Sequence, residues 1–187
     1  MRFFELVESL YGIQSDYEGP GPLYHGTDLL SLSSILASGY LTPSIDTDRD
    51  ARTCGVSLTT SKPMAWSFAD RSSVIFHDNH GFDAQREQPE LFAGAFPTRG
   101  GVITFDAEKL RRVYRLVNYV DDGMDDELEV RVICPRLLNV QQFIVAVDFN
   151  PGDIDWFIAY CQSKEAAYEY SDPKAVVARL MALKSRS

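Results

Sequence analysis

Cysteine and histidine are scarce in this 187-residue chain, with three of each. Cys54, Cys134 and Cys161 stand far apart and are odd in number, which argues against a disulfide framework and against a zinc site of paired cysteines. His77 and His80 are three residues apart with no other His or Cys near them. That spacing reads better as a polar loop than as a metal site, and no metal is expected. No apolar run reaches the roughly 18 to 20 residues that a membrane-crossing helix needs. The opening stretch MRFFELVESLYG carries Glu5 and Glu8 inside its apolar part and no small-residue cleavage site follows, unlike a signal peptide. The chain is expected to be cytoplasmic, with no membrane partner. Positive charge is also short, with 18 Lys and Arg against 27 Asp and Glu and a net charge of -9. Phosphate backbones repel such a chain, so broad nucleic-acid binding is disfavoured. The local exception, KLRRVYR at 109–115, reads as a solvated helix end or strand edge.

What is present is the composition of an ordinary globular protein, 45% hydrophobic and 24% charged. The length suits one domain over 1–187 with a substantial core. Apolar spacing predicts a helix over 2–12, with Gly12 at its end. After the turn-rich YEGPGP, LYHGT reads as a strand. DLLSLSSILASG reads as a helix capped by Asp28, striped by Leu29, Leu32, Ile35 and Leu36, and ended by Gly39. The following YLTPSIDTDRDARTCG reads as irregular. VSLTT is strand-like and leads into a helix with Ser61 as N-cap and Pro63 in its first turn. Residues 77–100 show no clean period and read as a long excursion.

GVITFDA then reads as a strand, AEKLRRVY as a short helix and YRLVNYV as a strand, followed by the acidic turn DDGMDD. ELEVRVIC alternates, with Leu128, Val130 and Val132 on one face and Glu127, Glu129 and Arg131 on the other. NVQQFIVAVDF reads as one more strand, and helices fill 152–185. The order indicates an α+β fold, not the regular alternation of a doubly wound parallel sheet.

Three pieces carry chemistry: LYHGT with His25, GVSLTTSKPMAWSF with small hydroxyls followed by aromatics, and ELEV with Glu127 and Glu129. Together they resemble the NAD-binding core of the ADP-ribosyltransferase superfamily. The likeness is to the branch with His-Gly-Ser/Thr on the first strand, as in poly(ADP-ribose) polymerases and diphtheria-toxin-like catalytic domains. Glu127-Leu128-Glu129 also matches the Glu-X-Glu form of arginine-modifying members. The resemblance covers residues 22–150 and implies a split, mixed or antiparallel sheet flanked by helices, the N- and C-terminal helices being additions. It implies NAD as substrate and no metal.

By the same resemblance His25 and Glu129 serve catalysis, with Glu127 facing the acceptor. Tyr24, His25, Gly26, Thr27, Ser57, Thr59, Trp66 and Phe68 are implied to bind NAD. The chemistry asks for such a set, because breaking the nicotinamide–ribose bond passes through an oxocarbenium-like state, as in glycoside hydrolysis. That state needs fixed ribose, a slot for nicotinamide and a carboxylate near the developing cation. His25 would bond a ribose hydroxyl, and the backbone of Gly26 would approach the nicotinamide amide. Ser57 or Thr59 would steady the glutamate or the ribose, and Trp66 would stack on nicotinamide, with Phe68 and Tyr40 as rivals. Glu129 would bind the ribose 2′-hydroxyl and stabilise the cation.

The family's aromatic clamp is commonly Tyr, and its polymerases follow the second glycine with Gly-Ile-Tyr-Phe, which is absent here. Mono-ADP-ribosylation of a protein, with arginine the favoured acceptor, is therefore expected. Each residue also has a plainer reading: His25 as a core histidine on a backbone carbonyl, Ser57 and Thr59 as strand residues, Trp66 as core, Glu129 as the exposed face of a half-buried strand. Other functional classes remain: a nucleic-acid ADP-ribosyltransferase, an RNA 2′-phosphotransferase of the same architecture, or a non-catalytic nucleotide-binding module. The missing first-strand arginine counts against the phosphotransferase.

Overall fold

The computed structural model describes residues 15–43, 55–70, 100–119, 129–162 and 172–185. The helix expected over 2–12, the excursion over 77–99, Cys54, His77, His80 and Glu127 lie outside the described residues. In chain order the elements begin with β1 (Leu23–Thr27), α1 (Leu29–Ser38), β2 (Tyr40–Leu41), β3 (Val56–Thr59) and α2 (62–70). They continue with β4 (Gly101–Phe105), α3 (Ala107–Arg111), β5 (Leu116–Tyr119), β6 (Glu129–Val132) and β7 (Leu137–Leu138). A 3-10 turn (Val140–Gln142), β8 (Ile144–Phe149), α4 (Pro151–Gln162) and α5 (Pro173–Lys184) complete the described chain.

The fold is a mixture of helices and sheet. Six strands form one sheet in the order β5-β6-β3-β1-β4-β8. The pairs β1–β3, β3–β6 and β5–β6 are antiparallel, as is the separate two-stranded sheet β2–β7. Two local expectations are corrected. Tyr40 and Leu41 are not irregular: they pair with Leu138 and Leu137. NVQQFIVAVDF is not one strand either. Asn139 adopts the left-handed conformation (φ 52°, ψ 43°), which a strand cannot contain, so the chain winds through a 3-10 turn before β8 begins at Ile144.

The chain divides into two compact units. The first comprises Met1–His25, Gly39–Ala65 and Ile103–Ala146. Its core includes Leu23, Val56, Leu58, Phe105, Leu116, Val130, Val132 and Phe143. Residues 15–17 run along β5, with Tyr17 N–H donating to Leu116 O (2.9 Å) and Asn118 N–H to Ser15 O (3.0 Å). They cover what is otherwise the outer edge of β5. Asp106 caps α3 by accepting from Lys109 N–H at 3.0 Å. The basic cluster at 109–115 is engaged locally: Lys109 pairs with Asp106, Arg112 with Glu108 and Arg115 with Asp16, while Arg111 donates to the carbonyl of Gly19. It is a solvated helix end with its charges met.

The second unit comprises Gly26–Ser38, Trp66–Val102 and Val147–Ser187. Asp28 caps α1, its Oδ1 accepting from Ser31 N–H at 2.8 Å. The stripe Leu29, Leu32, Ile35 and Leu36 is buried. Ile154, Phe157 and Cys161 of α4 and Val176, Leu180 and Leu183 of α5 are buried at helical spacing, and Lys184 pairs with Asp155 at 2.6 Å. Gly100 is required here, since a Cβ would overlap the carbonyl oxygen of Thr27 and lie 2.9 Å from that of Ala69. Among the described residues no helix is long and apolar enough to cross a membrane.

Candidate active site

The site is built on β6, β3 and β5 of the first unit. Glu129 opens β6, directly opposite Thr59 of β3 on one side and Tyr119 of β5 on the other. Thr59 is in turn opposite Tyr24 of β1. Residues opposite one another across antiparallel strands present their side chains to the same face. Tyr24, Thr59, Glu129 and Tyr119 thus form one row. Two residues along, Ser57, Arg131 and Val117 form the next row on that face.

The polar side of β6 is covered. Side-chain exposure is 14% for Glu129 and 11% for Arg131. The plainer reading of Glu129 as the exposed face of a half-buried strand does not hold. Arg131 Nε–H donates to Glu129 Oε1 at 2.9 Å. The guanidinium carbon of Arg131 lies 3.5 Å from the centre of the Tyr119 ring, a cation–π contact strengthened by the loss of water. Two charges so far from solvent persist only because each meets the other.

Thr59 is buried, and its hydroxyl accepts from Ser61 N–H at 3.1 Å. Ser61 then caps α2: its Oγ accepts from Met64 N–H at 3.3 Å and its carbonyl from Ala65 N–H at 3.0 Å. Thr59, opposite the glutamate, is therefore tied to the strand-to-helix corner. Of the two hydroxyls expected beside Glu129, Thr59 is the one opposite it, while Ser57 is opposite Arg131 and exposed.

His25 follows Tyr24, so alternation along β1 assigns it to the opposite face of the sheet from the Tyr24, Thr59 and Glu129 row. Its Nδ1 lies 3.1 Å from the carbonyl oxygen of Ser57. A carbonyl oxygen only accepts, so Nδ1 carries the proton in this contact. This is the backbone contact of the plainer reading, but the residue is half-buried and not a core histidine. Glu127 lies outside the described residues. Gly26, Thr27, Trp66 and Phe68 belong to the second unit, Trp66 and Phe68 half-buried on α2. Tyr40 pairs in the two-stranded sheet with the Arg136 guanidinium 4.5 Å over its ring.

Arg131 and Tyr119 were not singled out by sequence reasoning. Period two put Arg131 on the face of Glu129, a usable signal, but Tyr119 joins them only through the pairing of β5 with β6. Cys134 and Cys161 are buried free thiols, and burial pushes the pKa of each up to about 11. Neither is suited to act as a nucleophile at neutral pH. Among the described residues no group of His, Cys, Asp and Glu is arranged to hold a metal ion.

The arrangement offers one positioned carboxylate, a neighbouring threonine and, from the adjoining strand, an imidazole with a defined tautomer. The carboxylate, with the threonine beside it, can stabilise a positive charge developing on a bound sugar. The chain matches no protein-family model and no curated protein sequence.

Proposed function

We propose that the protein is an NAD-dependent mono-ADP-ribosyltransferase. It breaks the bond between nicotinamide and ribose and passes ADP-ribose to a macromolecular acceptor. The observation that carries this reading is the meeting of three motifs on neighbouring strands. His25 of β1 bonds to the backbone of Ser57 on β3, and Thr59 of β3 is opposite Glu129 of β6. Motifs more than a hundred residues apart at their extremes thereby come to one part of one sheet.

In this mechanism Glu129 engages the ribose 2′-hydroxyl and stabilises the oxocarbenium-like transition state. The assignment of His25 to a ribose hydroxyl rests on the sequence resemblance. The roles of Gly26, Thr27, Trp66 and Phe68 toward nicotinamide rest on the sequence resemblance. So does that of Glu127, which would hold the guanidinium of an acceptor arginine. The phosphotransferase reading gains nothing from Arg131, since its charge is already met by Glu129.

The test is direct. Wild type incubated with NAD should release nicotinamide and label a macromolecule in a cell lysate, and Glu129→Gln should do both about 100-fold or more slowly. NAD should also raise the melting temperature, as any ligand confined to the native state does. No nicotinamide release and no thermal shift at saturating NAD would exclude the reading.

A further inference from the structure

We infer that Arg131 is a positioning residue for the reaction: it holds the Glu129 carboxylate in its working orientation while Tyr119 holds Arg131. The inference rests on the proposed transferase activity and extends it to residues to which the resemblance assigns no role.

A glutamate at a strand end has three rotatable bonds, and a catalytic carboxylate must keep one orientation to be worth its full effect. Two strand neighbours and one direct bond supply that constraint here. Thr59 and Tyr119 flank Glu129 on either side within the row. Arg131, on the same face two residues on, bonds Oε1 through Nε at 2.9 Å. The Nε–H points along the plane of the guanidinium, so the Tyr119 ring stacked against that plane at 3.5 Å fixes the bond's direction as well as its length. The bond engages Oε1 alone, leaving Oε2 as the oxygen assigned to the ribose. Lysine could match the charge but not this geometry, because an ammonium has neither a flat face to stack nor a directed Nε–H.

A salt bridge of purely structural value would show in stability and leave the chemical step alone. A positioning role splits kcat from KM. Arg131→Met should lower kcat for nicotinamide release by about 100-fold, with KM for NAD within about threefold of wild type, as misplacement of a reacting group does. Arg131→Lys should recover part of kcat. Adding Arg131→Met to Glu129→Gln should cost little more than Glu129→Gln alone, since both act through one carboxylate. Arg131→Met with wild-type kcat, or losses that multiply with those of Glu129→Gln, would overturn the inference. If Arg131→Met does not fold, Arg131→Lys decides: reduced kcat at unchanged KM supports positioning, and wild-type kcat overturns it. A parallel unfolding cycle on the same four proteins, without NAD, reports the ion pair itself. Coupling there in a wild type that releases no nicotinamide would overturn the transferase reading and the catalytic inference while leaving the pair; activity without coupling would overturn the inference alone.

Discussion

His25 donates from Nδ1 to the carbonyl oxygen of Ser57, 3.1 Å away, so a backbone group of β3 sets both the tautomer and the tilt of an imidazole on β1. Such a contact fixes the orientation of the ring on which a ribose-binding role depends. His25→Ala should therefore disturb ribose binding and ribose orientation together. Steady-state nicotinamide release should show a raised KM and a kcat lowered by about tenfold or more. A His25→Ala protein with wild-type values of both would remove the imidazole from the site.

Glu129→Gln keeps the shape of the side chain and deletes the charge. The charge matters most when the sugar becomes cationic, so kcat should fall by about 100-fold or more while NAD binding stays close to wild type. Binding measured by thermal shift and turnover measured by nicotinamide release separate the two. Equal turnover by variant and wild type would remove Glu129 from the mechanism.

The acceptor is tested at Glu127. The acidic segment DDGMDDELE leads into β6, and carboxylates there suit an incoming guanidinium. Glu127→Ala should abolish modification of an arginine target and spare slow hydrolysis of NAD, because water needs no such clamp. Mass spectrometry of the labelled target decides: ADP-ribose on another residue type or on a nucleobase, with full activity in Glu127→Ala, contradicts the arginine assignment.

The buried thiols give a pH dependence of known sign. Burial disfavours the thiolate, raising Cys134 and Cys161 from 9.0 to about 11 in the folded protein. Between these values the unfolded chain has released protons that the folded chain still holds. Their contribution is thus intact below pH 9 and is lost as the pH rises toward 11. The melting temperature should fall across that window, and less steeply when Cys134 and Cys161 are both replaced by Ala. Both thiols should also resist aromatic disulfide reagents at pH 8 until the protein is unfolded.

Elements governed by local chemistry were legible in the chain. Asp28, the Leu29/Leu32/Ile35/Leu36 stripe and Gly39 (φ 75°) start, bury and end α1 as their types dictate. Ser61 caps α2 in the same way. These interactions span three or four residues, so a short window of sequence contains both partners. Alternation likewise marked β6 and placed Glu129 and Arg131 on one face. Tertiary structure decided what lies opposite and above them. Thr59 meets Glu129, and the Tyr119 ring meets Arg131, because β3 and β5 pair with β6 in one register; a slip of one residue would turn each strand's side chains to the other face. His25 and Ser57 find each other across a separation of 32 residues for the same reason. The sequence by itself determined the residue types and their local spacing. Only the pairing of strands distant along the chain decided that Glu129 and Arg131 form a covered ion pair, because burial depends on neighbours that local spacing does not specify.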